Sequence, residues 1–318
     1  MNSSQSYLER SNAVLFHARF MSKKPPAVYE LPKVRPLNQK WVFFESEAPT
    51  NTWNYVSTNE TYWKLFNITV TYTSDSDIPL EYHRMKCLPK ENWSTKTLNH
   101  AAKKTKFSAW FVSHCKTSSR RELYVKELQK YISVDIYGSC SNSSKCLRNS
   151  QDVSEQQNCM MDVINSDYKF YLSFENSFCS EYVTEKFNRI VRFGNVIPIV
   201  LGSADYGKII PRGTYIDVRD FGSPKELADY LHTVANDDGL YNEYINRKKG
   251  YVCRIKRSFN CNLCEYLHKH RYEKEVVYDA ARFWSTRFRC TSPKDFYRDV
   301  APDLAKKIEF SRSPEVFL

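Results

Sequence analysis

Between residues 107 and 251 the chain alternates short apolar runs with stretches whose apolar positions recur every three or four residues. This is the pattern of strands and helices in turn. Strands are expected at Phe107–Ser113, Val134–Tyr137, Tyr168–Phe174, Val196–Leu201 and Tyr215–Val218, with helices at Arg120–Ile132, Pro224–Val234 and Tyr241–Tyr251. The clearest unit is 168–201. Phe170, Leu172 and Phe174 alternate with Lys169, Tyr171 and Ser173, and Glu175-Asn176-Ser177 ends the strand. A helix follows with Phe187, Ile190 and Val191 on one face, stopped at Gly194-Asn195. The apolar run 196–201 completes a βαβ unit of a parallel sheet. Open α/β sheets bind ligands at the carboxyl ends of their strands. Glu175, Asn176, Tyr182, Glu185 and Lys186 fall there, so the expected ligand is charged.

The first hundred residues are less regular. Lys40–Glu45 and Phe66–Tyr72 read as strands, the second with period-two alternation. Residues 1–26 are polar, end in Lys23-Lys24-Pro25-Pro26, and read as a tail or linker. Asn92–Thr105 is polar enough to carry a domain junction. The domains expected are therefore 27–102 and 103–287, with an extension at 288–318.

The 318 residues suffice for two domains, and 42% hydrophobic with 26% charged excludes a disordered chain. The net charge of +11 favours anionic partners. The basic residues are scattered, and zinc-finger or ribonucleoprotein spacing is absent, so no nucleic-acid partner is expected. Ten cysteines, with Asn-x-Ser/Thr sequons at Asn2, Asn59, Asn67, Asn92 and Asn142, point to the secretory lumen. Some of these sequons are chance matches. No apolar run is long enough to span a membrane or serve as a signal core; a lumenal chain needs an entry signal, so truncation at the amino end is expected.

Several groups suggest chemistry. Tyr182-Val183-Thr184-Glu185-Lys186 opens a helix, whose free N–H groups and partial positive charge suit phosphate; standing alone, Glu185 and Lys186 would be a solvated ion pair. Arg121 sits at a helix start, an unfavourable place for a cation, which hints at an anionic ligand. Glu45 and Glu47 follow a strand; a cleft carboxylate can deprotonate a hydroxyl, although composition alone reads both as loop glutamates. Asp75-Ser76-Asp77 has the look of a metal-binding pair, but it lies in the first half, away from the expected crevice. Cys261 and Cys264 with His268 resemble part of a zinc site, yet no second pair stands at finger spacing, and disulfides are the expected fate.

Together FYLSFENS (170–177), YVTEKF (182–187), NVIPIVLG (195–202), FGSPKELADYL (221–231), VDIYGSC (134–140), CNLCEYLH (261–268), EAPT (47–50) and LFNITVTYTSDSDI (65–78) resemble the α-1,3-fucosyltransferases of glycosyltransferase family 10. The resemblance spans roughly residues 38–270. It implies an α/β fold of GT-B type, two Rossmann-like domains facing a cleft, acceptor side first. It implies inverting transfer of fucose from GDP-fucose to the 3-hydroxyl of N-acetylglucosamine in a glycan. Carried over residue by residue, the base falls on Glu47, the phosphate-binding cations on Arg121 and Lys186, and donor contacts on Glu175, Asn176, Tyr182 and Glu185. It implies no required metal, with Mn2+ or Mg2+ at most stimulatory, and residence in the Golgi lumen behind a single-pass anchor that this chain lacks. Thr73-Ser74, His114 and Arg247 depart from the family pattern. They leave open a non-catalytic glycan-binding relative, or a transferase using another nucleotide sugar.

Overall fold

The central strands of both parallel sheets fall on apolar runs buried on both faces. In the computed structural model, which describes residues 5–21, 31–32, 34–53, 61–80, 85–93, 98–143, 145–146, 153–254, 258–271, 273 and 277–310, β1 (Ala13–His17), β2 (Lys40–Glu45) and β3 (Ile68–Thr71) form a parallel sheet in that order. β4 (Lys86–Pro89) pairs antiparallel with β10 (Tyr251–Arg254). β5 (Lys106–Phe111), β6 (Val134–Tyr137), β7 (Tyr168–Phe174), β8 (Ile197–Leu201) and β9 (Ile216–Asp217) form a second parallel sheet, ordered β6-β5-β7-β8-β9. Two parallel α/β sheets facing a cleft give the GT-B type of architecture.

Strand β7 shows why alternation alone understates burial. Phe170, Leu172 and Phe174 enter one core, with the helices Arg121–Leu128 and Pro224–Asn236. Tyr168 and Tyr171 enter another, with Ile164 and Ile190. Helices cover both faces of the sheet, as parallel sheets require. The predicted helices are present, Ser223 capping the one at Pro224–Asn236 through Glu226 N. Gly194 does stop the helix Glu185–Phe193, but not by a left-handed turn: its φ is −79°. A Cβ there would come within 2.6 Å of the Ile190 carbonyl oxygen, so the constraint is space.

The boundaries expected from sequence are not those of the packing. Residues 1–26 are not all tail: β1 pairs with β2 from Ala13↔Lys40 to His17↔Phe44, and Phe16 is buried in the first core. The strand escapes sequence reading because it is five residues long and flanked by polar segments; residues 1–4 and 22–26 lie outside the described residues. β4, assigned to the first domain, is fastened to the second by β10 and the disulfide Cys87–Cys253. Conversely Ala280 and Trp284 return to the first core. Residues 293–308 are no loose extension, since Tyr297, Val300, Leu304 and Ile308 pack into the second.

Further disulfides join Cys115–Cys140, Cys146–Cys159 and Cys179–Cys290. Cys261 and Cys264 are not paired; both are exposed thiols on the helix Phe259–Lys269. That corrects the disulfides expected for these two: the other eight cysteines pair among themselves, and Cys261 and Cys264 stand exposed one turn apart on the same helix. Asn67 is only 5% exposed, and its Oδ1 accepts from Trp41 N; that sequon is structural, whereas Asn92 is exposed. Asn2 and Asn59 lie outside the described residues. Among the described residues no helix is long and apolar enough to cross a membrane.

Gly138 follows β6 at φ +92°, and a Cβ there would lie 2.6 Å from the Val112 carbonyl oxygen. Replacing Gly138 by Ala is expected to cost about 1–3 kcal/mol, read as a lower Tm in a thermal melt, because both backbone strain and a collision with β5's exit must be relieved.

Candidate active site

One cavity of about 540 Å³ lies between the two sheets, at the carboxyl ends of β5, β6 and β7. Glu47, Arg121, Asn176, Tyr182, Glu185 and Lys186 all line it. Glu175 does not. That predicted donor contact is 0% exposed and lies beneath the cavity floor. Its carboxylate accepts from Thr184 N at 2.8 Å and from Thr184 Oγ1 at 2.8 and 3.0 Å, and it stands 3.6 Å from Lys186 Nζ. The alternation that pointed Phe174 into the core turns Glu175 inward under the turn, so it serves the cations and not a ligand.

Thr184 caps the helix Glu185–Phe193, its hydroxyl accepting from the amide of Lys186 and, at 2.9 Å, from Lys186 Nζ. Lys186 also reaches Glu185 Oε1 at 3.1 Å. Burial by itself pushes a lysine toward neutrality; here the carboxylates of Glu175 and Glu185 outweigh it and hold Lys186 above its ordinary value. Burial likewise raises Glu185, but Lys186 and Arg189 bring it down to about 2. Glu175, buried deepest, is raised by that burial despite Lys186. The result is a fixed cation at a helix amino end, directed into the cavity.

Arg121 opens the helix Arg121–Leu128 and is not the surface residue its position suggests: it is 2% exposed. It donates to the Phe174 carbonyl and lies 5.6 Å over the Trp110 ring, while its Nε has no partner. Burial pushes it down, countered by Glu175, but a guanidinium keeps its charge. The Oδ1 of Asn176 is also buried without a partner. Two orphaned polar atoms in one cavity are what a polar ligand would satisfy.

On the facing sheet, Glu45 ends β2 fully buried. It accepts from the amides of Ser46 and Glu47, each at 2.9 Å, from Arg19 N at 3.1 Å, and meets His17 Nε2 at 3.3 Å. It thereby fixes the loop carrying Glu47, the residue on which the resemblance places the base. Glu47 Oε2 accepts from Tyr182 Oη at 2.9 Å and Asn51 Nδ2 at 3.0 Å; Oε1 stands 3.4 Å from the Arg19 guanidinium. Burial, with Glu47 and Glu175 nearby, holds the Tyr182 phenol well above its ordinary value, so it remains a neutral donor.

The cavity also takes in Gly138, Ser139, Gln157, Met160 and Arg189. Sequence reading assigned none of them; Gly138 ending a strand was the one available signal, and the helix Val153–Asp167 was not anticipated. The Asp75-Ser76-Asp77 pair is structural. Asp75 binds Arg289 at 2.8 Å, and Asp77 accepts from Thr69 N and Oγ1 and from Tyr278 Oη. The two carboxylates thus face different partners.

The family profile described as glycosyltransferase family 10 (fucosyltransferase) C-term matches residues 101–284, and that described as fucosyltransferase, N-terminal, matches residues 1–83. Glycoprotein 3-alpha-L-fucosyltransferase A of Drosophila melanogaster is 41% identical over 265 residues, 81% of this chain and 50% of that protein, so the chain spans half of that relative's length. Alpha-(1,3)-fucosyltransferase C of Drosophila melanogaster is 33% identical over 305 residues, 90% of this chain and 68% of that protein. A crystal structure of alpha1,3-fucosyltransferase with GDP-fucose aligns with a TM-score of 0.49 and 20% identity, over 77% of this chain and 78% of that one.

Replacing Lys186 by Met leaves Glu175 buried without its cation. The variant is expected to lose about 3 kcal/mol at about pH 8 and less at about pH 5. The sign follows from Glu175: its folded carboxyl is already raised, and without Lys186 it rises further, so mild acid neutralises it and relieves the penalty. Melts of both proteins at the two pH values measure the difference; a penalty constant with pH would contradict this account of Glu175.

Proposed function

Because the chain belongs to glycosyltransferase family 10, the fucosyltransferases, we propose that it moves L-fucose from GDP-fucose to the 3-hydroxyl of an N-acetylglucosamine residue in a glycan. The observation that carries this reading is that Glu47, from one sheet, faces Arg121 and Lys186, from the other, across a single cavity. A diphosphate leaving group needs cations where negative charge develops. An acceptor hydroxyl needs one base.

In the proposed reaction the acceptor hydroxyl gives its proton to Glu47 as its oxygen bonds to C1 of fucose. The bond from C1 to the GDP oxygen breaks, and the electron pair leaves with GDP. Arg121, Lys186 and the amide groups at the start of the helix Glu185–Phe193 receive the diphosphate. Tyr182 and Asn51 hold Glu47 Oε2, and Arg19 stands at Oε1. Attack from the face opposite the leaving group inverts C1. The orphaned Oδ1 of Asn176 is suited to a donor hydroxyl, and Glu185, partly exposed at the rim, to another. No step is assigned to a metal: the aspartates that resemble a metal pair are committed to Arg289, Thr69 and Tyr278, and a divalent ion is proposed to stimulate at most. The disulfides and the exposed sequon at Asn92 support work in an oxidising lumen, for which the Golgi is the proposed compartment.

Labelled fucose from GDP-fucose, presented with an array of N-glycan and N-acetyllactosamine acceptors, tests the reading directly; a folded chain that binds GDP and transfers to none of them would overturn it. Glu47→Gln is expected to lower turnover about 10²–10⁴-fold while GDP affinity stays within about threefold. GDP-mannose and UDP-sugars offered in place of GDP-fucose should give little or no sugar transfer. Tyr182→Phe, which removes one hydrogen bond to the base, is expected to lower kcat about 10- to 100-fold with little change in KM for GDP-fucose, measured by steady-state kinetics.

A further inference from the structure

A second cavity, of about 590 Å³, lies at the other end of the five-stranded sheet. Its wall is the helix Asp238–Lys249, whose Tyr241 hydroxyl donates to the Lys169 carbonyl and whose Lys248 Nζ donates to the carbonyls of Gly194 and Val196. Those residues begin β7 or precede β8, so this cavity stands at the amino ends of the strands whose carboxyl ends hold Glu175 and the catalytic crevice. Nothing in the transfer reaction uses it.

Its construction is specific. Glu243, Asn246, Arg247 and Gly250 follow one another at i, i+3, i+4 and i+7, one face of the helix and its end. Opposite them stands Trp93. Its indole lies against Gly250, where a Cβ would come within 3.2 Å of Trp93 Cδ1, and Lys90 Nζ sits 4.6 Å from the ring centroid. Lys90 N donates to the Gly250 carbonyl at 2.8 Å, and the disulfide Cys87–Cys253 ties together the two paired strands β4 and β10. Arg247 rests over Gly213, a residue at φ +80° with no room for a side chain under the guanidinium. Trp93 is nonetheless 37% exposed, whereas the other tryptophans are buried or half-buried.

An indole held in place and open on one side, faced by a carboxylate, an amide and a guanidinium, matches a pyranose: an apolar face to stack, and hydroxyls that both donate and accept. Charges of both signs line the wall, so the site does not select an anion. The volume falls in the range of sites for small ligands. We propose that this cavity is a saccharide-binding site, separate from the catalytic cleft, taking a short neutral N-acetylglucosamine-containing chain on Trp93 with Glu243, Asn246 and Arg247 as its polar contacts. Such a chain has two sources: a glycan attached at Asn92, exposed and adjacent to Trp93, or the glycan of another protein.

N,N′-diacetylchitobiose titrated into the full chain, without GDP-fucose and followed by tryptophan fluorescence, tests the site. The Asn92→Gln chain is expected to bind with Kd of the order of 1 mM. Trp93→Ala in that background should weaken binding at least about tenfold, and Glu47→Gln should leave it unchanged, which separates this site from the acceptor side of the cleft. Binding by Asn92→Gln but not by the chain glycosylated at Asn92 identifies the attached glycan as occupant; equal binding by both identifies an external one. If Asn92→Gln fails to bind at about tenfold above that concentration, or if Trp93→Ala leaves binding intact, the proposal is overturned. Should Trp93→Ala not fold, Glu243→Ala and Arg247→Ala, both at exposed positions, carry the same comparison: loss of affinity supports the site, and unchanged affinity in both overturns it.

Discussion

The hydrogen bond from Tyr182 to Glu47 is the constraint on which the arrangement depends. Its two residues are 135 apart in sequence and come from opposite sheets. A carboxylate on one wall and cations on the other can act on one ligand only at a fixed separation, and flexible linkers do not fix separations. The bond does not act alone. Thr50 donates to Ser177 at 2.7 Å one turn from Glu47, and Tyr182 packs in the first core against Tyr72. The chain then crosses back, with Trp284 under Phe43 and Cys290 joined to Cys179 beside the Tyr182 turn. Packing and a covalent bond thereby hold the two walls together beside the Tyr182 turn.

Electrostatics sets the second condition. Arg121 and Lys186 are cations buried close together, which would be costly without counter-charge. Glu175 supplies it from below and Glu185 from the side. Because Glu175 is committed to Thr184 and Lys186 under the floor, the cations are oriented yet not neutralised on the cavity face. The unpartnered Arg121 Nε marks a place on that wall where an acceptor atom of a ligand would be bound.

Much of this was legible in the sequence, and the limits have physical causes. The βαβ unit at 168–201 could be read because period-two and period-3.6 patterns change at its polar turns, and the same rule located the other strands of the second sheet. What a side chain does after a strand ends could not be read that way. Glu175 and Asn176 are neighbours in one motif, yet one is sealed under the floor and the other lines the cavity. Nor could Arg121's burial, which depends on Trp110 and Phe174 arriving from two other strands. β1 was missed because an edge strand pairing on one side needs only a short apolar run. Domain limits failed where the chain crosses between cores, since apolar periodicity reports that a face is buried and not which core buries it.

The departures from the family pattern take on distinct meanings once placed. Ser74 is a bridge: its amide and hydroxyl donate to Glu181 at 2.8 and 2.7 Å, joining the turn after β3 to the residue before Tyr182. Glu181 holds a left-handed conformation, φ 59°, that this pairing helps fix. His114 lines the same cavity as Glu47 and Lys186, near the exit of β5. Arg247 touches neither; it belongs to the wall at the far end of the sheet. One substitution thus bears on cleft geometry, one on cavity lining, and one on a surface outside the reaction. Arg121 and Lys186, on the cavity wall across from Glu47, are not among the departing positions.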